Sequence, residues 1–158
     1  MQQADWDAPD CPSWVARLAQ ALAAVDAPVV LAAHSAACAM VAHWAAGRGA
    51  ELGKVRGALL VAPSDPGGPN YPNGPTGFDP VPRAPLPFRS IVVTSDDDVY
   101  VSLERAREYA AAWAARMVLL PNAGHINVAS GHGPWPDGFE LLSRLRAEAV
   151  PASTPAPP

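Results

Sequence analysis

Lysine is almost absent from this sequence, cysteine occurs only twice, and no long apolar run interrupts it. With a formal net charge of -4 and so little lysine, the chain offers no basic patch of the kind that phosphate neutralisation requires, so nucleic acid is not an expected partner. Cys11 and Cys38 stand too far apart for a close ligand pair and too few for a disulfide framework; Cys38, inside an apolar stretch, is expected to be a buried small hydrophobe. No His-x-x-x-His or paired-cysteine spacing occurs, so neither a metal nor another cofactor is expected. Nowhere do about 18 apolar residues run together, and residues 1–10 carry neither a basic nor an apolar leader segment. A membrane partner is therefore not expected, and a cytoplasmic location follows by default.

What is there is a chain of 158 residues, the length of one domain with a single core. Residues 1–149 are expected to form it. Proline clusters over 63–87 and again over 151–158, and the second cluster, with little apolar content, gives an expected disordered tail over 150–158. Pro12-Ser13 starts a helix capped by Asp10 or Ser13, with Trp14, Leu18, Leu22 and Val25 as its apolar stripe. Val29-Val-Leu31 reads as a strand buried on both faces, because a continuous apolar run is what a central parallel strand needs. A helix from Ala36 to Gly47, a polar connection over 47–53 and a second buried strand over Val55 to Ala62 follow. Ser64 to Pro87 is a long excursion rich in Pro and Gly, with Phe78, Leu86 and Phe88 available to pin it down. Ser90 to Ser95 is a third strand and Met117 to Leu120 a fourth. Between them runs a helix from Ser102 to Ala115, with Leu103, Ala106, Tyr109, Ala110 and Trp113 inward. A last helix starts at Asp137, with Phe139, Leu141, Leu142 and Leu145 as its apolar side. Alternating strands and helices predict an α/β fold with a mainly parallel sheet.

The passage from strand to helix at Ala33-His-Ser-Ala-Ala37 has the form of a nucleophile elbow, in which a sharp turn projects a serine hydroxyl above the sheet. Ala33 and Ala37 fill the positions that must be small. The bland alternative is that Ser35 is only a helix N-cap. Two further polar groups stand past predicted strand ends: an aspartate within Asp96-Asp-Asp98, and His125. The order Ser, Asp, His is that of the α/β-hydrolases. Serine is a poor nucleophile near neutral pH, so His125 must take its proton and a carboxylate must fix the imidazole tautomer. The Ala36 backbone N–H, at the helix N-terminus, is placed to bind an oxyanion.

The segments Ala33-His-Ser35, Gly57 to Pro63, Pro80-Val-Pro-Arg83, Ser95 to Tyr100, Gly124-His-Ile-Asn127 and Ser130-Gly-His-Gly-Pro-Trp135 resemble the small serine hydrolases related to retinoblastoma-binding protein nine. The resemblance spans nearly the whole chain before the tail. It implies an α/β-hydrolase-like three-layer sandwich, with Ser35 as nucleophile, Asp98 as the acid and His125 as the base; Asp97 is the alternative acid. It also implies a departure: the family's first strand and the glycine turn that supplies a second oxyanion donor lie before the Asp5-Trp6 pair, so the chain is expected to be N-terminally truncated relative to the family. The function implied is cleavage of a small-molecule carboxylic ester, thioester or amide through an acyl-enzyme. The alternative is a catalytically degenerate hydrolase fold acting as a protein-binding module, with a protein partner.

The remaining candidates have plainer roles. His34 is expected to be a packed, hydrogen-bonded neighbour of the site, His43 a helix residue with no partner in view, and His132 part of a structural turn anchored by Trp135. Trp6, Trp14, Trp44 and Trp113 are expected in the core.

Overall fold

The computed structural model describes residues 1–148, so the expected tail over 150–158 and the end of the expected domain at 149 lie outside the described residues. Helix α1 (Cys11–Ala23) leads to strand β1 (Val29–His34), helix α2 (Ala36–Ala46), a 3-10 turn (Ala50–Lys54) and strand β2 (Val55–Val61). Strand β3 (Arg89–Ser95), helix α3 (Leu103–Ala112), strand β4 (Arg116–Leu120), a second 3-10 turn (Val128–Ser130) and helix α4 (Pro136–Glu148) complete the described chain. The four strands form one parallel sheet in the order β1-β2-β3-β4. The α/β fold with a parallel sheet expected from the alternation, and the α/β-hydrolase-like architecture that the resemblance implied, are therefore the ones observed.

The strand residues sort by parity, as a pleated sheet demands. Ala58, Leu60 and Val92 join the cluster of α1, α2 and α3, while Leu59, Val61, Ile91 and Val93 pack with Leu141, Leu142 and Leu145 of α4. Helices on both faces give the three layers. Because β1 to β2 and β3 to β4 both step the same way across the sheet, a common crossover hand puts α2 and α3 on the same side.

Asp10 is the cap of α1, its carboxylate accepting from the Ser13 backbone N–H at 3.0 Å. At the other end Lys54 Nζ donates to the Leu22 and Ala23 carbonyls at 3.1 and 3.4 Å. It satisfies acceptors that a helix C-terminus leaves open. The excursion between β2 and β3 holds no regular element but is nailed to the core by Phe78, 1% exposed, and by the hydrogen bond of His43 Nε2 with the Phe78 carbonyl at 3.0 Å. His43 thus has the partner that was not in view in sequence.

Several expectations are corrected. Among the described residues strand β1 is an edge strand, hydrogen-bonded to β2 alone, and Val29, Val30 and Leu31 are only half-buried; a β-branched run marks an apolar face but does not say how many neighbours the strand has. Val25 lies past the end of α1 and is exposed, and Phe139 is exposed on α4, whose inward side is carried by Leu145. The connection expected over 47–53 enters the 3-10 turn Ala50–Lys54, which runs one residue beyond it. Helix α3 stops at Ala112, where Trp113 becomes its C-cap and Ala114 takes φ 53°. No helix among the described residues is long and apolar enough to cross a membrane.

Candidate active site

Three strand ends meet over one cleft. Ser35 sits between β1 and α2 with φ 60° and ψ -129°, a conformation costly for a non-glycine residue and kept only where surroundings over-determine it. Here its N–H donates to the Val61 carbonyl at 3.0 Å and its carbonyl accepts from Cys38 N–H at 3.0 Å. Its side chain makes no capping hydrogen bond to the helix, so it does not act as the N-cap that the bland reading required. Its Oγ instead lies 2.9 Å from His125 Nε2. Ala36 occupies the first position of α2, where a helix N–H has no intrahelical acceptor, and it lines the cleft. Beneath the elbow Cys38 is fully buried, its thiol pushed far up by desolvation, as a small hydrophobe should be.

His125 is held from the other side by Asp98, whose Oδ2 and Oδ1 lie 2.8 and 3.0 Å from Nδ1. The Asp98 side chain is wholly buried and also accepts from the Tyr100 N–H at 2.9 Å. A carboxylate only accepts, so the Nδ1 position carries the proton and Nε2 keeps its lone pair toward Ser35. The rings of Tyr100 and His34 pack edge-on against the imidazole at 4.6 and 4.9 Å. His34 Nε2 hydrogen-bonds the His125 carbonyl at 2.9 Å, the neighbouring role expected of it. Desolvation by the cleft wall holds the His34 imidazole below its ordinary value, although one side of the residue remains open to solvent.

The three consecutive acids each have a separate task. Asp96 Oδ1 accepts from Asn122 N–H at 2.8 Å, Asp97 Oδ1 accepts from Gly124 N–H at 2.7 Å and from Ser95 Oγ at 2.5 Å, and Asp98 takes the imidazole. Ser95 Oγ in turn accepts from Ala123 N–H at 2.9 Å. These bonds hold the Asp97 carboxyl below the usual carboxylate range, the Ser95 hydroxyl first and the Gly124 amide second. The loop they grip turns back sharply, with positive φ at Asn122, Gly124 and Ile126. At Gly124, φ is +55° and an added Cβ would stand 2.7 Å from the Ser130 Cβ; glycine is required there for space as well as for backbone. His132 meets Trp135 edge-on and does not line the cleft.

The cleft measures about 480 Å³ and is walled by Trp6, Trp14, Tyr71, Tyr100 and three prolines, with Asp7, Asn73 and Asn127 and no lysine or arginine. Trp6 is 59% exposed and packs edge-on against Trp14; it belongs to the cleft rim, not to the core as expected. Burial pushes the Tyr71 phenol up to about 12, leaving it neutral at ordinary pH. Sequence reasoning missed Tyr71, which sits in the aperiodic excursion, and it missed two residues straight after β2. Ser64 is buried with its Oγ 2.8 Å from Ser35 Oγ. Asp65 accepts from Arg105 Nε at 2.9 Å and from the Tyr109 hydroxyl at 3.1 Å. A polar pair following an apolar strand was their only available signal. Among the described residues no group of three His, Cys, Asp or Glu is placed to hold a metal ion.

A parallel sheet sandwiched between helices, with a serine on a strained strand-to-helix turn above it, defines an α/β-hydrolase. The chain belongs to the serine hydrolase family, whose sequence profile matches residues 1–144, and it is a hydrolase by that membership. Among solved structures it is similar to a YdeN-like hydrolase from Pectobacterium atrosepticum, at 28% identity and a TM-score of 0.83 over 96% of this chain and 77% of that one. The ydeN gene product of Bacillus subtilis shares the fold at 15% identity and a TM-score of 0.69, over 93% and 81% of the two chains. A monoacylglycerol lipase from Paleococcus ferrophilus does so at 11% and 0.67, over 89% and 77%. No curated protein matches the chain.

Proposed function

We propose that this hydrolase cleaves a small-molecule carboxylic ester, thioester or amide through an acyl-enzyme on Ser35, with His125 as general base and Asp98 as its orienting carboxylate. The observation that carries the reading is the unbroken line from the Asp98 carboxylate to Nδ1, and from Nε2 at 2.9 Å to the Ser35 hydroxyl, on a backbone held at φ 60°. In acylation Ser35 Oγ bonds to the substrate carbonyl carbon as its proton passes to Nε2, and the carbonyl electron pair moves onto oxygen. The Ala36 N–H, at the positive end of α2, meets that oxyanion. Collapse breaks the bond to the leaving group, which takes the proton from Nε2. Water then attacks with a proton going to Nε2, and Ser35 Oγ departs and recovers it.

The cleft supports a substrate that is not an anion. Aromatic and proline walls give an apolar acyl group contact area, and the absence of a cationic side chain among the lining residues leaves a substrate carboxylate without a partner. The kinship with the hydrolases related to retinoblastoma-binding protein nine belongs to the same proposal, and rests on the Gly124 to Asn127 and Ser130 to Trp135 segments. A fluorophosphonate probe tests the reading. It is expected to label the protein at Ser35 and to leave Ser35→Ala unlabelled; equal labelling of the alanine variant overturns the assignment. A folded wild-type protein that takes no label would favour the degenerate, protein-binding alternative.

A further inference from the structure

Ser64 lies just past Pro63 at the end of β2 and is 4% exposed. The one hydrogen bond its side chain makes among the described residues is to Ser35 Oγ, at 2.8 Å. Distance alone allows either hydroxyl to donate, but the surrounding chemistry allows one direction. Asp98 only accepts, so His125 carries its proton on Nδ1 and offers a lone pair at Nε2, 2.9 Å from Ser35 Oγ. Ser35 has a single proton, and that lone pair takes it. The Ser64 proton is then the one that lies between the two serines.

We infer that Ser64 is a further catalytic residue, whose hydroxyl donates to Ser35 Oγ and stabilises the charge that gathers there during the reaction. The inference rests on Ser35 being the nucleophile. In acylation the Ser35 proton moves to Nε2 while the Oγ–carbon bond forms, and charge builds transiently on Oγ. In deacylation the same bond breaks and Oγ leaves as its proton returns. Both moments turn a neutral hydrogen bond into a charge-assisted one, which is about twice as strong. A contact stronger in the transition state than in the ground state raises kcat and leaves KM alone. The donor is preorganised, since the Ser64 backbone is fixed between Pro63 and the Asp65 N–H bond to the Tyr100 carbonyl at 2.9 Å.

The charge on Oγ is smaller than on a full oxyanion, whose donors are each worth on the order of a hundredfold or more, so Ser64→Ala is expected to lower kcat about tenfold. The experiment measures p-nitrophenyl butyrate kcat and KM, fluorophosphonate labelling rate and thermal midpoint for wild type, Ser35→Ala, Ser64→Ala, Ser64→Thr and Ser64→Cys. The expected result is a kcat loss in Ser64→Ala at unchanged KM and midpoint, recovery in Ser64→Thr, which keeps the hydroxyl, and an intermediate value in Ser64→Cys, a weaker donor. Wild-type turnover in Ser64→Ala alongside an inert Ser35→Ala overturns the role of Ser64 and leaves the nucleophile standing. Equal loss in the Ala and Thr variants also overturns it, because shape rather than the hydroxyl would then matter. If Ser64→Ala does not fold, wild-type turnover in Ser64→Cys has the same force. Labelling of Ser35→Ala at the wild-type rate overturns the nucleophile reading and this inference together.

Discussion

Asp97 and Asp98 differ by one position and by everything they touch. Asp98 is buried against the imidazole, whereas Asp97 grips the Gly124 amide and the Ser95 hydroxyl. Asp98→Asn is therefore expected to lower kcat by the order of a thousandfold or more, because a carboxamide no longer dictates the tautomer. Asp97→Asn keeps an acceptor for Gly124 and is expected to retain most turnover; steady-state kinetics on the two variants decides between them. Asp97 has its own signature in pH. Its carboxyl titrates below the ordinary value of 3.8 in the folded chain, so its contribution to stability is present above about pH 4 and is lost as the pH falls through the lower, folded value. Denaturation midpoints taken from pH 6 to 3 should show wild type and Asp97→Asn converging at the acid end. Sequence alone left the two acids open because one residue of register separates them, and register past a strand end is set by the loop they hold.

Among the elements, strand and helix order was legible because each apolar run is bounded by Pro, Gly or a polar cluster, and parity along β2 and β3 follows from the pleat. Composition does not reveal edge position, since pairing partners are tertiary facts; only the family resemblance pointed to a missing neighbour for the elbow strand, and among the described residues β1 pairs with β2 alone. The excursion over 64–87 was legible as a loop that shapes the pocket; which of its residues reach the site was not, because the residues that bring it there are scattered: Asp65 to Arg105 and Tyr109, Pro82 to Trp113, and Phe78 to His43. Asp65 is the charged one among these anchors. Asp65→Asn weakens a charge-assisted bond to a partly exposed arginine and should cost about 2 kcal/mol in chemical denaturation. Since Tyr71 and Asn73 line the cleft from the same excursion, KM should rise more than kcat falls. An unchanged KM would show that the loop keeps its place without this anchor.

For the molecule as a whole, the sheet order sets a gradient of stability. Strands β2 and β3 have ladder partners on both sides and side chains in both hydrophobic clusters, while among the described residues β1 and β4 are paired on one side. Native-state hydrogen exchange should find the slowest amides at Leu59, Leu60, Val92 and Val93, with β1 and β4 opening at lower free energy. The nucleophile is attached to one of these weaker strands, and the strained elbow is secured by the Ser35 N–H bond to Val61 on the stronger one. Uniform protection across all four strands would refute the gradient.

The scarcity of lysine has a practical consequence for the assembled molecule. Lys54, the sole side-chain amine in the sequence, caps α1 and immediately precedes Val55 at the start of β2, while Ser35 and Ser64 stand beyond the finishing ends of parallel strands. Apart from the α-amine, amine-coupling chemistry therefore has one handle, and it lies at the opposite pole of the sheet from the cleft. A sensor surface or resin attached through Lys54 would hold the molecules in a common orientation, with the mouth of the cleft turned toward the flowing solution.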